Sequence, residues 1–142
     1  MPSFTLRIPN LQQVGPVVEL LVTPSVQYIR AMGLAPQQVK VLKVLAMIDT
    51  GATGTVLSQG LATTLGIQPI GTTYINTPSS TNVLCHQYDV QIVFPNQVNI
   101  GSIVITEAPL QGQHIQCLIG RDVLEHGLLV YTGYDNSFSL SF

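Results

Sequence analysis

Asp49 has the most unusual setting of any charged residue in the sequence. It ends an apolar run within LAMIDTGATGTVLS, residues 45–58, and the chain turns at once through Thr50 and Gly51. Burying a carboxylate costs free energy unless it is paired or hydrogen-bonded. The small residues that follow permit a turn whose backbone N–H groups hold the carboxylate. An acid held in this way could act in catalysis, although an aspartate that only caps a turn would look the same.

A second signature lies later in the chain. Leu118, Ile119 and Gly120 lead into Arg121 and Asp122, and a short helical segment follows. The first signature is also an apolar strand followed by a turn and a short helix. This faint internal repeat suits a pseudo-symmetric β fold.

Taken together, the two signatures resemble those of aspartic proteases. Residues 48–52, followed by the aliphatic pair Val56-Leu57, are similar to the active-site motif of that family, and residues 118–122 are similar to its second signature. Their order and separation and the surrounding strands resemble the retroviral-type, or retropepsin-like, branch, including its bacterial members. The resemblance runs from about residue 16 to the C-terminus.

The resemblance implies peptide hydrolysis by two carboxylates that share one proton. One carboxylate acts as a base on water and the other polarises the scissile carbonyl as an acid; aspartic proteases are the standard example of such a pair. The chain has a single Asp-Thr-Gly, and Asp89, Asp122 and Asp135 lie outside such a motif. A homodimer would therefore be needed to bring Asp49 from each chain together on a twofold axis.

Further roles follow from the same resemblance. Catalytic roles are expected for Asp49, for Thr50, which would hydrogen-bond across the dimer, and for Gly51, whose carbonyl would bind the substrate main chain. The residues expected to line apolar substrate pockets are Ala52, Val56 and Leu118.

Structural support is expected from Gly120 and Arg121. Gly120 would let the second loop pass close to the first. Retroviral enzymes place acids after the active-site motif, and one of them pairs with the arginine, but Thr53 and Gly54 stand there in this sequence. Arg121 is therefore expected to bond a backbone carbonyl, Asp122 or a group on the other chain.

A flap over the substrate is expected between the two signatures. The candidate is a hairpin within residues 72–92, formed by TTYIN and VLCHQYDV. An extended polypeptide substrate could bind beneath it as an added strand. Its tip, with Pro78, Ser79 and Ser80 as expected substrate contacts, is stiffer and more polar than the glycine-rich tips of retroviral enzymes.

Strand-like segments dominate the chain. Residues 88–94 alternate apolar and polar side chains, which is typical of a half-buried strand. Two short helices are predicted, one capped by Ser58 and one capped by Asp122 with Glu125 in a capping box. The segments that read as strands are residues 17–22, 39–48, 88–94, 98–105, 128–131 and 137–142.

Because no long helices alternate with these strands, a parallel α/β sheet is not expected. The prediction is an all-β, retropepsin-like barrel with one or two short helices, one lobe per chain and one domain over residues 1–142. Residues 24–38 interrupt two strands and are predicted to be an irregular insertion. The C-terminal strand, with SFTLRI near the start, is expected to pair across the dimer and cover its exposed edge.

The composition limits the classes of function. Charged residues make up 8% and the net charge is −2, so no basic surface for nucleic acid is expected. Low charge favours self-association. No apolar run is long enough to cross a membrane and no secretory signal is seen at the N-terminus, so a cytoplasmic location is expected.

Metal and cofactor chemistry is not indicated by the sequence. The histidines, at positions 86, 114 and 126, have no metal-ligand spacing. Cys85 and Cys117 are too few for a disulfide framework and are expected to be small buried or half-buried thiols. We therefore expect neither metal nor cofactor.

The sequence leaves two alternatives to a free endopeptidase open. The unusual flap tip is compatible with a peptide-binding or regulatory module on the same fold, with weak or no proteolysis. A protease that acts on its own polyprotein precursor is the other alternative.

Overall fold

The computed structural model describes residues 2–77, 80–110 and 114–142. Pro78 and Ser79, two of the expected flap-tip contacts, lie outside these ranges. The described strands are β1 Ser3–Arg7, β2 Val17–Pro24, β3 Leu42–Ile48, β4 Val56–Ser58, β5 Gly71–Thr77, β6 Ser80–Val93, β7 Asn99–Ala108, β8 Cys117–Ile119, β9 Leu128–Thr132 and β10 Ser137–Ser141. The α-helices are α1 Leu11–Val14, α2 Val26–Ala31, α3 Leu61–Thr64 and α4 Arg121–Leu124, and 3-10 turns span Pro36–Gln38, Pro95–Gln97 and Gly133–Asp135.

The alternation predicted for residues 88–94 is present in β6 and the residue that follows it. The exposed fractions of Tyr88, Val90, Ile92 and Phe94 are between 0% and 3%. The intervening residues are only partly buried. A period of two therefore places one face of this strand in the core, as expected for a sheet with one solvated face.

Seven of the described strands form a sheet that closes on itself. Their order is β2-β3-β8-β4-β7-β6-β5, and β2 also pairs with β6. The barrel therefore consists of β2, β3, β8, β4, β7 and β6, and β5 extends beyond it as one arm of a hairpin with β6. The core inside the barrel is aliphatic, with Val44, Ala46, Leu57, Val90 and Ile119 each exposed by 1% or less.

The position of β8 determines where the two sequence signatures meet. This strand lies between β3 and β4, parallel to β3 and antiparallel to β4. Ile48 and Ile119 are register partners at the ends of β3 and β8. The residues that follow them, Asp49 and Gly120, therefore leave the sheet side by side.

A smaller sheet contains both ends of the chain, in the order β1-β10-β9. The expectation that the terminal strands pair across a dimer is wrong in one respect, because β10 is paired on both sides within its own chain. The reason is apolar burial: Phe4, Phe138 and Leu140 are 3%, 0% and 0% exposed and pack into the core of the same chain.

The insertion at residues 24–38 is more regular than predicted. It contains α2, whose N-cap Ser25 accepts a hydrogen bond from the Tyr28 N–H at 3.1 Å. Such a cap satisfies one of the unpaired donors at the start of a helix. The remaining part includes the 3-10 turn Pro36–Gln38.

Both predicted helix caps are wrong, although both helices exist. Ser58 ends β4, and α3 begins after Gly60, whose φ of 91° is a left-handed conformation that glycine adopts readily. Asp122 lies in the first turn of α4, which begins after Gly120. Its carboxylate accepts hydrogen bonds from Thr55, at the start of β4.

The described ranges contain no helix that is both long enough and apolar enough to span a bilayer.

Candidate active site

Asp49 lies at the end of β3 with a half-buried side chain. Its backbone N–H donates to the Ile119 carbonyl at 2.8 Å, which continues the pairing of β3 with β8 by one residue. Its carboxylate Oδ1 accepts the Gly51 N–H at 2.9 Å. The backbone turn therefore orients one carboxylate oxygen and leaves the other available.

Gly51 is favoured over larger residues by the closeness of that carboxylate. A Cβ built at this position would lie 3.2 Å from Asp49 Oδ1. The turn closes with a hydrogen bond of 3.2 Å from the Ala52 N–H to the Asp49 carbonyl. A side chain at position 51 would therefore crowd the group that the turn orients.

The two loops of the signatures are in direct backbone contact at Gly120. A Cβ at this position would lie 2.5 Å from the Gly54 carbonyl oxygen and 2.6 Å from its carbon. The Arg121 N–H donates to the Ala52 carbonyl at 2.9 Å, one residue beyond this contact. Only glycine allows this approach, so the second loop packs directly against the first.

The Arg121 side chain binds the loop that contains Asp49. Its Nη1 donates to the Thr50 carbonyl at 2.7 Å and its Nη2 to Thr53 Oγ1 at 3.3 Å. A backbone carbonyl was one of the three partners expected for this arginine, and the Thr53 hydroxyl takes part in place of an acid. The forked guanidinium thus fixes the loop at two points.

Asp122 and Thr55 form a polar pair that is not predicted from the sequence. Asp122 Oδ2 accepts the Thr55 N–H at 3.0 Å, and Oδ1 accepts the Thr55 hydroxyl at 2.7 Å and the Val123 N–H at 2.9 Å. The Thr55 hydroxyl in turn accepts the Gly120 N–H at 3.1 Å. This network ties the start of β4 to the start of α4.

The sequence carries a signal for Thr55, although it does not identify the partner. Thr55 precedes Leu57 by two residues, so both side chains face the core of the barrel, and Thr55 is only 1% exposed. A hydroxyl on a core-facing position needs a hydrogen-bond partner. In the structure that partner is Asp122, the acid of the second signature.

Beside Asp49, partly exposed apolar side chains form a row across three strands. Val56 and Leu118 are register partners, and Leu118 is also aligned with Met47. Met47 lies two residues before Asp49, on the same face of the chain. Ala52, in the loop, is also partly exposed. Met47 was not among the predicted pocket residues.

The predicted flap hairpin corresponds to β5 and the first half of β6. These strands pair from Gly71 with Gln87 to Thr77 with Ser80, with a register shift between Ile75 and Thr77. Ser80 is exposed at the start of β6. Within the described part of this hairpin, Ile75 and Val83 share a partly buried face, whereas Tyr74 and Leu84 on the opposite face are 67% and 54% exposed.

Both cysteines are buried free thiols, as predicted. Burial raises the pKa of Cys117 to about 12, with the Asp122 carboxylate adding to the effect. Burial also raises the pKa of Cys85, with a smaller contribution from Glu107. Neither thiol is suited to act as a nucleophile. Among the described residues, no cluster of three or more histidine, cysteine or acidic side chains could hold a metal ion.

Comparison with known proteins gave one family and a similar crystal structure. The family model described as gag-polyprotein putative aspartyl protease matches residues 35–126. The fold is similar to that of a retropepsin-like aspartic protease from Rickettsia conorii, with a TM-score of 0.52, 14% sequence identity, and coverage of 100% of this chain and 95% of that chain. At this identity the similarity shows the fold alone. No curated protein is matched by sequence.

Proposed function

Because the chain belongs to the gag-polyprotein putative aspartyl protease family, we propose that it is an aspartic endopeptidase that acts as a homodimer. The retropepsin-like fold supports this proposal. The observation that carries it is the Asp49 carboxylate, which the Gly51 N–H orients at 2.9 Å at the meeting point of the two signature loops. One chain provides one such carboxylate, so the proposed site requires a second copy.

In the proposed reaction, the Asp49 side chains of two copies share one proton. The deprotonated carboxylate takes a proton from water, and the oxygen of that water attacks the scissile carbonyl carbon. The protonated carboxylic acid donates a hydrogen bond to the carbonyl oxygen. As the C–O bond to water forms, that acid gives its proton to the carbonyl oxygen, so the intermediate carries two hydroxyl groups on one carbon. The carboxyl that took the proton from water then gives it to the nitrogen, the C–N bond breaks, and the amine leaves. One hydroxyl proton of the intermediate returns to the Asp49 pair as the carboxylic acid product forms. Because one proton must remain on the pair, we expect the fastest cleavage under acidic to mildly acidic conditions.

The substrate proposed for this site is an extended polypeptide. The hairpin of β5 and β6 offers a backbone ladder under which a peptide could bind as an additional strand. The row of Met47, Leu118 and Val56 offers an apolar surface beside Asp49. These features favour medium-sized apolar side chains next to the cleaved bond.

Cleavage of an unfolded protein tests the proposal. We expect products between about pH 4 and 6, inhibition by pepstatin, and loss of activity on the order of 10³-fold or more in Asp49→Asn. The matched control is Asp89→Asn, which changes an acid whose partner is the exposed Ser102 hydroxyl. Peptide binding without cleavage at any pH would instead identify a binding module, and full activity of Asp49→Asn would remove Asp49 from the mechanism.

A further inference from the structure

The sheet face beside Asp49 continues past the apolar row described above. Along residues 115–119 burial alternates, because the three odd-numbered residues are exposed by 3% or less and the two even-numbered residues are partly exposed. Gln116 therefore lies on the same side of the chain as Leu118. It is two residues, or about 7 Å, further from the end of the strand, where Asp49 lies.

Backbone hydrogen bonds align Gln116 with a residue of β3 and a residue of β4. Its N–H donates to the Leu45 carbonyl at 2.9 Å, and its carbonyl accepts the Ser58 N–H at 2.8 Å. Ser58 is partly exposed and follows Val56 by two residues, which places it on the same face. A polar row of Gln116 and Ser58 therefore lies next to the apolar row that contains Val56 and Leu118.

The side-chain carboxamide of Gln116 is oriented by one hydrogen bond. The Leu45 N–H, which can only donate, bonds Oε1 at 3.1 Å. This contact identifies the oxygen end of the carboxamide and leaves Nε2 without an acceptor among the described residues. Every fully buried side-chain nitrogen or oxygen in the described ranges has a hydrogen-bond partner. Because Nε2 has none, this NH₂ group is accessible from outside the chain.

We propose that Gln116 determines part of the substrate specificity, because its Nε2 donates a hydrogen bond to a substrate side chain that carries an oxygen acceptor. This inference rests on the proposed function and adds a second preference to the same site. Side chains on one face of an extended peptide repeat about every 7 Å, which is also the separation of the two rows. A substrate with an apolar side chain against Leu118 can therefore present glutamate, glutamine, aspartate or asparagine to Gln116. The Ser58 hydroxyl is a second partner for that side chain.

Cleavage of a peptide library tests this preference. A library prepared from digested cell protein would be incubated with the wild-type protein at pH 6, and the cleaved bonds would be identified by mass spectrometry. We expect residues with side-chain oxygen acceptors to be enriched at one position near the cleaved bond. The enrichment should be about three- to tenfold, the effect of one hydrogen bond.

Gln116→Glu separates recognition of the substrate from support of the sheet. This variant keeps an oxygen for the Leu45 N–H and replaces the NH₂ donor with a carboxylate oxygen, which is ionised at pH 6. We expect the preference for acidic residues to disappear and lysine or arginine to be enriched at the same position. A glutamine that only supported the edge of β3 would change stability without exchanging these preferences. The matched control is Gln97→Glu, at an exposed residue between β6 and β7, which should keep the wild-type pattern.

The possible results distinguish failure of this inference from failure of the proposed function. If the wild-type protein cleaves the library without a preference for acceptors, or if Gln116→Glu keeps the wild-type pattern, the inference is wrong and the protease proposal stands. If the wild-type protein cleaves nothing at any concentration, the proposed function is wrong and the inference falls with it. Gln116→Met, which lacks both polar atoms, replaces Gln116→Glu if that variant does not fold. It should lose the preference for acceptors and gain none for basic residues.

Discussion

The guanidinium of Arg121 donates a hydrogen bond of 2.7 Å to the carbonyl oxygen of Thr50, 71 positions earlier in the chain. The residue before Thr50 is Asp49, so this contact fixes the backbone immediately beside the candidate catalytic carboxylate. The same side chain reaches Thr53 Oγ1 at 3.3 Å. Arg121 therefore binds the Asp49 turn at Thr50 and the residue that follows the turn, Thr53.

Replacing Arg121 by lysine should reduce cleavage more than it reduces stability. Lysine keeps the charge but loses the planar fork that binds two acceptors at once. We expect kcat/KM to fall about 10- to 100-fold, because a small displacement of a catalytic group is costly. Steady-state cleavage of a peptide measures the effect. Arg30→Lys in α2, also at an exposed arginine, is the control, and an equal loss in that variant would contradict the role given to Arg121.

The Asp122–Thr55 pair should contribute mainly to stability. In Asp122→Asn an NH₂ group replaces one carboxylate oxygen, so one of the N–H or O–H groups that now bond the carboxylate loses its acceptor. Leaving such a group unsatisfied costs about 1–3 kcal/mol. Urea unfolding measures this loss. Asp89→Asn, whose partner Ser102 is exposed, should change the free energy of unfolding by less than about 0.5 kcal/mol. Equal effects in the two variants would show that the buried network adds little.

Gly120→Ala tests the backbone contact between the two loops. The new Cβ would lie 2.5 Å from the Gly54 carbonyl oxygen, so one loop must move. We expect a loss of about 1–3 kcal/mol in unfolding free energy, as for other overpacked sites, together with reduced cleavage. At Gly101 the nearest atom to an added Cβ is Val26 Cγ2 at 3.5 Å, an ordinary contact. Gly101→Ala should therefore leave the free energy of unfolding nearly unchanged. If Gly120→Ala is tolerated equally well, the two loops are not in close contact.

The raised thiol pKa values predict that Cys85 and Cys117 are unreactive in the folded protein. Burial raises the pKa of Cys117 from 9.0 to about 12, so the thiolate is scarce at pH 8. Iodoacetamide should label neither cysteine until urea unfolds the chain, with mass spectrometry as the readout. Because the folded-state pKa is the higher one, the stabilising contribution of Cys117 is complete below pH 9.0 and declines as the pH approaches about 12. Rapid labelling of the native protein would contradict this account.

Local patterns in the sequence are sufficient to predict part of the fold. The strand alternation of residues 88–94 and the turn after Asp49 depend on neighbouring residues and on a period of two, and both are present in the structure. The close approach at Gly120 is implied by the family resemblance, and glycine suits it because it has no Cβ to separate the two backbones.

Other features depend on contacts between distant residues. The burial of Phe138 and Leu140 sets the position of β10 in the middle of its sheet. The alternation of apolar residues predicts a strand there, but it does not say whether the neighbouring strands belong to the same chain or to a second copy. Glu125 follows Asp122 at capping-box spacing, and this local pattern predicts a helix cap at Asp122. Its partner, Thr55, is 67 positions away, and no local rule links the two.

Mixing wild-type chains with Asp49→Asn chains tests the central claim most directly. The two proteins would be combined in urea, refolded together, and assayed at a constant wild-type concentration that favours dimers. If the site consists of one Asp49 from each of two copies, mixed dimers are inactive, and a tenfold excess of the variant should reduce cleavage about tenfold. Cleavage that stays unchanged at every excess would show that a single chain carries a complete site, and would contradict the account.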